Sequence, residues 1–199
     1  MVLDRQLPKA AYFSAHLYRK EHEVTTPARI VLILLCLSAS TLLAQHPPEG
    51  IWEGYDGEWK HVSSQLVALA EATPAEKFAW RPAPGIRSTS EVYMHIALAN
   101  YYLLGVTGPK MPSDLKQEME RTVTSKPEVI DWLKRSLNAV KEAHRMETPK
   151  DLERKVHIAD RDASVDGMYL RIIVHANEHM GQLIAYARMT GVVPPWAEK

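Results

Sequence analysis

The residues from Gly167 to Thr190 constrain the fold more than any other part of the chain. They repeat apolar side chains on nearly every side of a helix, which predicts a helix buried within a bundle. His175 and His179 lie one turn apart, and at about 100° per residue they share one face. Gln182 and Tyr186 extend that face. A buried helix offers polar side chains no water, so each imidazole needs a partner.

Three further segments repeat apolar residues with helical spacing and would complete a bundle. The first runs from Trp52 to Leu69, and capping-box sequences open the second at Ser88 and the third at Ser125. No segment alternates apolar and polar residues long enough to predict a strand, and residues 157–166 have the composition of a charged loop. The predicted fold class is therefore all-α, a four-helix bundle over residues 45–199.

Residues 1–44 are predicted to lie outside that bundle. The run from Ile30 to Ala44 carries no charge, Arg29 precedes it, and small residues lie near its end, which is the pattern of a cleavable signal segment. The run is shorter than the roughly 20 residues that span a bilayer as a helix. We expect cleavage after Ala44, export to the periplasm or the extracellular space, and no stable membrane span in the mature form. An uncleaved N-terminal anchor is the alternative.

The segment from Met1 to Glu23 is too long and too charged for the start of an ordinary signal segment. We interpret it as a non-native N-terminal extension, with translation starting later, for instance at Val24. Cys36 is the one cysteine and falls within the apolar run, so the mature domain has none. This excludes disulfides, thiolate nucleophiles and cysteine-bound zinc from the domain.

Among the histidines beyond residue 44, three lie in strongly apolar helical surroundings: His95, His175 and His179. A pair on one helix and a single histidine on another can converge in a bundle core and bind one divalent metal, with coordination positions left open. The alternative stays open here, because buried imidazoles also occur as ordinary hydrogen-bonded core residues. Imidazole ligands suit zinc, nickel, iron and copper. We expect zinc or nickel, with iron as an alternative.

One pattern in the chain is long and specific: Arg87-Ser88…His95 followed by His175-x-x-Glu178-His179-x-Gly181-Gln182-Leu183-x-x-Tyr186-x-Arg188-x-x-Gly191-x-x-Pro194-Pro195. With it, the chain resembles the DinB-like superfamily from about residue 50 to the C-terminus. The resemblance implies a four-helix bundle with a three-histidine metal site, in which His95 on the second helix and His175 and His179 on the fourth are the ligands. It also implies transferase or isomerase activity that depends on a thiol, because the family members with an assigned activity resemble thiol-dependent transferases and isomerases.

Two functions follow as hypotheses. In the first, the chain is an enzyme whose metal lowers the pKa of a bound water or substrate thiol, giving hydrolysis or group transfer. Glu178 would then orient a ligand or act as general base, or else form a structural ion pair or cap the end of another helix. Gln182 and Tyr186 would line the substrate pocket or form hydrogen bonds inside the bundle. In the second, the chain is a non-catalytic, exported metal-binding or interaction module, because it offers no nucleophile beyond the ligands.

The charge balance restricts the partners that the chain can have. Lys and Arg together number 24, as do Asp and Glu, and no basic stripe alternates with aromatic residues. Nucleic acid is therefore not an expected partner. We expect a small-molecule substrate, and the sequence is compatible with a homodimer.

Overall fold

The computed structural model describes residues 49–197, so the predicted signal segment lies outside the described residues. Four long helices make up most of this part: α1 (Tyr55–Ala72), α2 (Thr89–Thr107), α4 (Lys126–Met146) and α6 (Val165–Met189). Between them lie the short helices α3 (Met119–Thr122) and α5 (Pro149–Leu152), the strands β1 (Lys155–Ile158) and β2 (Arg161–Ser164), and a 3₁₀ turn at Ala75–Lys77; a second 3₁₀ turn, Pro195–Ala197, follows α6. In residues 49–197 no helix has both the length and the hydropathy for crossing a bilayer.

The four long helices form a four-helix bundle in which each helix packs against two others. Both α1 and α2 pack against α4 and α6, so α1 and α2 occupy opposite corners of the bundle. The start of α2 lies beside the end of α6, where the Tyr186 hydroxyl donates to the Arg87 carbonyl oxygen. These two helices are therefore antiparallel, and residues facing each other across them come from distant parts of the chain.

The directions of α1, α4 and α6 explain why the chain needs a long connection between α2 and α4. The rings of Tyr55 and Tyr169 lie 5.5 Å apart, so α1 and α6 start at the same end of the bundle. The ammonium of Lys126, at the start of α4, donates to the Glu71 carbonyl at the end of α1, so α4 runs against α1. It follows that α2 and α4 run in the same direction. The connection of residues 108–125 therefore has to travel the length of the bundle.

The core lies between the four long helices, as the apolar periodicity predicts. The indole N–H of Trp59 donates to the Leu137 carbonyl oxygen over 3.0 Å, which satisfies the one polar atom of that buried side chain. Burial of each large apolar side chain contributes about 1.5–3 kcal/mol. The largest fully buried side chains are Trp59, Tyr93, Tyr169, Phe78, Leu66, Leu69, Met94, Ile96, Leu133, Ile172, Leu183 and Val62.

The predicted helix starts at Ser88 and Ser125 are confirmed, whereas the predicted capping bond at Ser125 and the helical position of Trp52 are wrong. Ser88 forms a complete capping box with Glu91 at the start of α2. Ser125 makes no such bond to the backbone, because its hydroxyl donates to the Glu128 carboxylate instead. Trp52 was predicted to belong to the first helix but lies before it and is 90% exposed. The chain instead turns back so that the Gly50 carbonyl packs closely against Gly57.

The predicted absence of strands is wrong for residues 155–164, which form an antiparallel hairpin with Ile158 paired to Arg161. Its two-residue loop has Ala159 at φ 46° and Asp160 at φ 65°, the backbone of a type I′ turn. Asn-Gly or Asp-Gly is the usual signal for that turn, and strands of four residues are too short to show alternation. The hairpin was therefore not detectable from the sequence of this charged segment.

Helix α6 is not buried on every side, contrary to the prediction. Leu170 is 61% and Val174 is 40% exposed, whereas Ile172 is fully buried. Because α6 occupies a corner of the bundle, it packs against two neighbours and leaves its outer face in solvent. Apolar residues on that outer face made the helix look more enclosed than it is.

Candidate metal centre

Helices α2 and α6 bring His95, His175 and His179 together. The antiparallel packing sets the early part of α2 against the middle of α6. The Nε2 atoms of His95 and His175 lie 3.2 Å apart. One ligand nitrogen from each of the three residues lies within 4.8 Å of the others, which is close enough for all three to hold one metal ion. The predicted convergence of three imidazoles is therefore confirmed.

Two of the imidazoles, those of His95 and His175, have the protonation state that a metal requires. Burial, with the neighbouring His179 and His95, lowers the pKa of His175 to about 4. Burial also lowers the pKa of His95, although its hydrogen bond to Glu120 opposes the shift. Both rings are therefore neutral near pH 7, and a neutral imidazole has a lone pair to donate. The three residues are only partly buried, so solvent reaches the site.

Glu120 fixes the orientation of His95. Its Oε2 lies 2.9 Å from His95 Nδ1, and its Oε1 accepts a 2.7 Å bond from Arg87 Nε. Burial raises the pKa of Glu120, but bonds from Arg87 and His95 outweigh burial and lower it overall. An ionised carboxylate only accepts, so His95 Nδ1 carries the proton and Nε2 keeps its lone pair.

Glu120 was missed by the sequence reasoning. It belongs to α3, a four-residue helix within the long connection between α2 and α4. No periodicity or spacing relates it to His95, which is 25 positions away. The only route to it is the three-dimensional path of the connection, which the sequence does not specify.

Gln182 and Tyr186 fix the orientation of His179. The Gln182 Oε1 atom lies 2.9 Å from His179 Nδ1, and Gln182 Nε2 donates to the Tyr186 hydroxyl over 2.7 Å. That hydroxyl donates to the Arg87 carbonyl oxygen over 3.2 Å. Of the two predicted roles, hydrogen bonding inside the bundle is the one these contacts show. The direction of this series leaves Nε2 of His179 with a free lone pair.

Glu178 lies on the outer side of α6. Both of its carboxylate oxygens accept bonds from the Arg171 guanidinium, the shorter at 2.8 Å, and this hydrogen bonding lowers the pKa of Glu178. Its carboxylate has no hydrogen bond to an imidazole among the described residues. The ion pair that the sequence left open is thus present, and the role of Glu178 as general base stays a prediction.

The donor set fits a divalent metal that prefers nitrogen. Because Nδ1 of His95 and of His179 carries the proton, the Nε2 atom of each ring has a lone pair that needs a donor. The neutral ring of His175 has one N–H at most, so it cannot donate to both lone pairs. A cation shared by three neutral nitrogens removes that mismatch. Nδ1 of His175 is buried without a hydrogen-bond partner. Because His95 Nε2 can only accept over their 3.2 Å contact, His175 Nε2 carries the proton of that ring in the metal-free protein, and a metal bound there would displace it.

Comparisons with known proteins identify the family and the fold of the chain. The family model of the DinB superfamily matches residues 58–183. The chain is 25% identical to a DinB-like protein from Bacillus cereus, with a TM-score of 0.65 over 72% of this chain and 95% of that one. A DinB-like protein from Bacillus subtilis, 16% identical, has a TM-score of 0.56 over 70% of this chain and 92% of that one, and shows similarity of fold alone. No curated protein matches the chain.

Proposed function

The chain belongs to the DinB superfamily, and on that premise we propose that it is a metal-dependent enzyme acting on a small molecule by hydrolysis or by thiol or other group transfer. The observation that carries the proposal is the convergence of His95, His175 and His179 within 4.8 Å. Three protein ligands leave coordination positions free, as in reactive rather than structural sites. A divalent metal held there would lower the pKa of a bound water or thiol.

Zinc or nickel is the metal that we propose, with iron as the alternative. Imidazole nitrogens are ligands that suit borderline metals, whereas magnesium and calcium prefer oxygen. The Nδ1 partners Glu120 and Gln182 increase the basicity of their rings and hold them in place. Elemental analysis decides among the three metals.

The protein groups around the site have separate tasks in this proposal. Glu120 and Gln182 hold the protons on the Nδ1 atoms of His95 and His179. Glu178 would act as a base only after leaving Arg171, because that guanidinium now binds both of its oxygens. Substrate would reach the site from solvent, since the three histidines are only partly buried.

A non-catalytic metal-binding or interaction module is the second candidate. The observation in its favour is the pairing of Glu178 with Arg171, which leaves no free carboxylate beside the imidazoles among residues 49–197. In either case we propose an exported protein, periplasmic or extracellular, with no nucleic-acid partner. The support for export is the apolar run before Ala44.

Metal analysis of protein purified without a histidine tag tests the site. We expect about one equivalent of metal per chain, lost in His175→Ala and His179→Ala and nearly lost in His95→Ala. The control is His157→Ala, since His157 lies in the hairpin and is 67% exposed. A triple-alanine variant that kept the full metal content would show that the site is elsewhere.

A second measurement separates enzyme from module. The metal-loaded protein is screened for thiol transfer and for ester and amide hydrolysis, and water exchange at the metal is measured in parallel. An enzyme is expected to show exchangeable water and at least one activity that His95→Ala abolishes. A site with slow exchange and no activity supports the module. Glu178→Gln then tests the general base, with a loss of activity but not of metal expected.

A further inference from the structure

We propose that Arg87 and Glu120 are positioning residues for the metal ligands. Arg87 anchors two separate hydrogen-bond paths, one to His95 and one to His179. We call these the carboxylate path (Arg87 side chain, Glu120, His95) and the hydroxyl path (Arg87 carbonyl, Tyr186, Gln182, His179). The inference rests on the proposed metal site, but it makes a claim about the metal-free protein that can be tested without metal.

Two of the three side chains of the carboxylate path, Glu120 and His95, are substantially removed from solvent, whereas that of Arg87 is 42% exposed. The side chain of Glu120 is 20% exposed and that of His95 is 24% exposed. Glu120 uses one oxygen for each partner, at 2.7 Å and 2.9 Å. Among the described residues it is the only protein group bonded to His95 Nδ1. Without it, nothing would hold the proton on Nδ1, and the ring would carry its proton on Nε2 in part of the population, which removes the lone pair that a metal needs there.

The hydroxyl path has its direction fixed at its far end. A carbonyl oxygen can only accept, so the Tyr186 hydroxyl must donate to Arg87. The hydroxyl then accepts from Gln182 Nε2, which turns Gln182 Oε1 towards His179. The tautomer of His179 is thus determined by a main-chain atom of residue 87. The ring of Tyr186 is held in turn by an edge contact with Trp80, at 5.2 Å between ring centroids.

The position of Arg87 explains how one residue serves both paths. It immediately precedes Ser88, the N-cap of α2, and α2 is also the helix that carries His95. Its guanidinium reaches towards α3 while its carbonyl faces the end of α6. Substitution of its side chain removes the Arg87–Glu120 bond that holds the carboxylate path in place, and it leaves the hydroxyl path intact. The two paths are therefore separable by mutation.

The experiment is nitrogen-detected NMR of the imidazoles in metal-free protein, followed by zinc affinity from chelator competition. Glu120→Ala and Arg87→Ala are expected to release His95 from the Nδ1–H form and to leave His179 unchanged. Tyr186→Phe, which keeps the aromatic ring, is expected to release His179 from the Nδ1–H form and to leave His95 unchanged. Each is expected to weaken zinc binding about 10–100-fold. Glu120→Gln keeps an acceptor and is expected to restore much of both properties.

Glu118→Ala is the matched control, because its carboxylate lies in the same connection, is exposed and bonds no ligand. A double variant of Arg87 and Glu120 is expected to lose no more affinity than Glu120→Ala alone, since both act on one path. Unchanged His95 nitrogens and unchanged affinity in Glu120→Ala and Glu120→Gln, with only a lower melting temperature, would overturn the proposal. If the tautomers respond as expected but the parent binds no metal, the positioning stands and the proposed function fails.

Discussion

Burial beside His179 and His95 lowers the pKa of the His175 imidazole to about 4, against an ordinary value of 6.5. The same environment that makes the ring a good ligand therefore resists its protonation. In the unfolded chain that restraint is absent, so the unfolded state binds more protons than the folded state between about pH 4 and 6.5. Folding of the metal-free protein becomes less favourable as the pH falls through this range.

We predict that the free energy of unfolding of metal-free protein decreases from pH 6.5 to 4, with about 1–2 kcal/mol attributable to His175 after allowance for its partial exposure. Urea denaturation in the presence of a chelator measures it at each pH. His175→Gln removes the titrating group, and the decrease in the variant should be smaller than in the parent. Equal decreases in both proteins would contradict the prediction.

Individual residues differ in how far the sequence could identify them. His175 and His179 were predictable because one helical turn separates them, and Gln182 and Tyr186 because they continue the same face. Glu120 was not predictable, because its place depends on how the long connection docks onto α2. Glu178 was singled out by its closeness to the ligands in sequence, yet its side chain extends outwards to Arg171.

Helix caps show how the same sequence signal gives different local structures. The Ser88 hydroxyl accepts from the Glu91 backbone N–H and is buried, whereas the Ser125 hydroxyl accepts no backbone N–H. We predict that Ser88→Ala costs about 1 kcal/mol of stability and that Ser125→Ala costs about 0.5 kcal/mol or less. Urea denaturation measures both. Equal losses at the two positions would show that the cap bond is not what stabilises α2.

The buried and the exposed side of α6 are expected to contribute differently to stability. Ile172 is fully buried, and Leu170 is 61% exposed two positions earlier. We predict that Ile172→Ala costs about 2–5 kcal/mol and that Leu170→Ala changes stability by about 0.5 kcal/mol or less. Thermal and urea unfolding provide the measurement. A large, concentration-dependent loss for Leu170→Ala would instead indicate that a second copy of the chain covers this face.

The elements were predictable wherever they were long. Each of the four main helices has enough turns for its apolar repeat to stand out, and their number and order were predicted correctly. The hairpin was not, because four-residue strands leave no repeat to detect and its turn places Ala159 and Asp160 at positive φ. The exposed face of α6 was also missed, since Leu170 and Val174 are apolar residues left in solvent.

At the scale of the whole molecule, a bound metal would add its binding energy to the stability of the bundle. A ligand that binds the folded state alone stabilises it by about 2.7 kcal/mol at a concentration 100 times its Kd. We predict that the melting temperature rises with zinc concentration in the parent and not in His95→Ala. Differential scanning calorimetry measures both proteins. A parent whose melting temperature stays constant at saturating zinc would contradict the prediction.

The distance along the chain between the ligands has a further consequence for how the domain unfolds. His95 and His175 are 80 positions apart, and an ion bridging them would tie off a loop that contains all of α4 and the hairpin. A covalent tie across such a loop restricts the unfolded chain by about 4–5 kcal/mol. Residues 45–199 contain no cysteine with which to make one. Metal coordination would give this chain a reversible cross-link, which a chelator would remove much as a reductant breaks a disulfide.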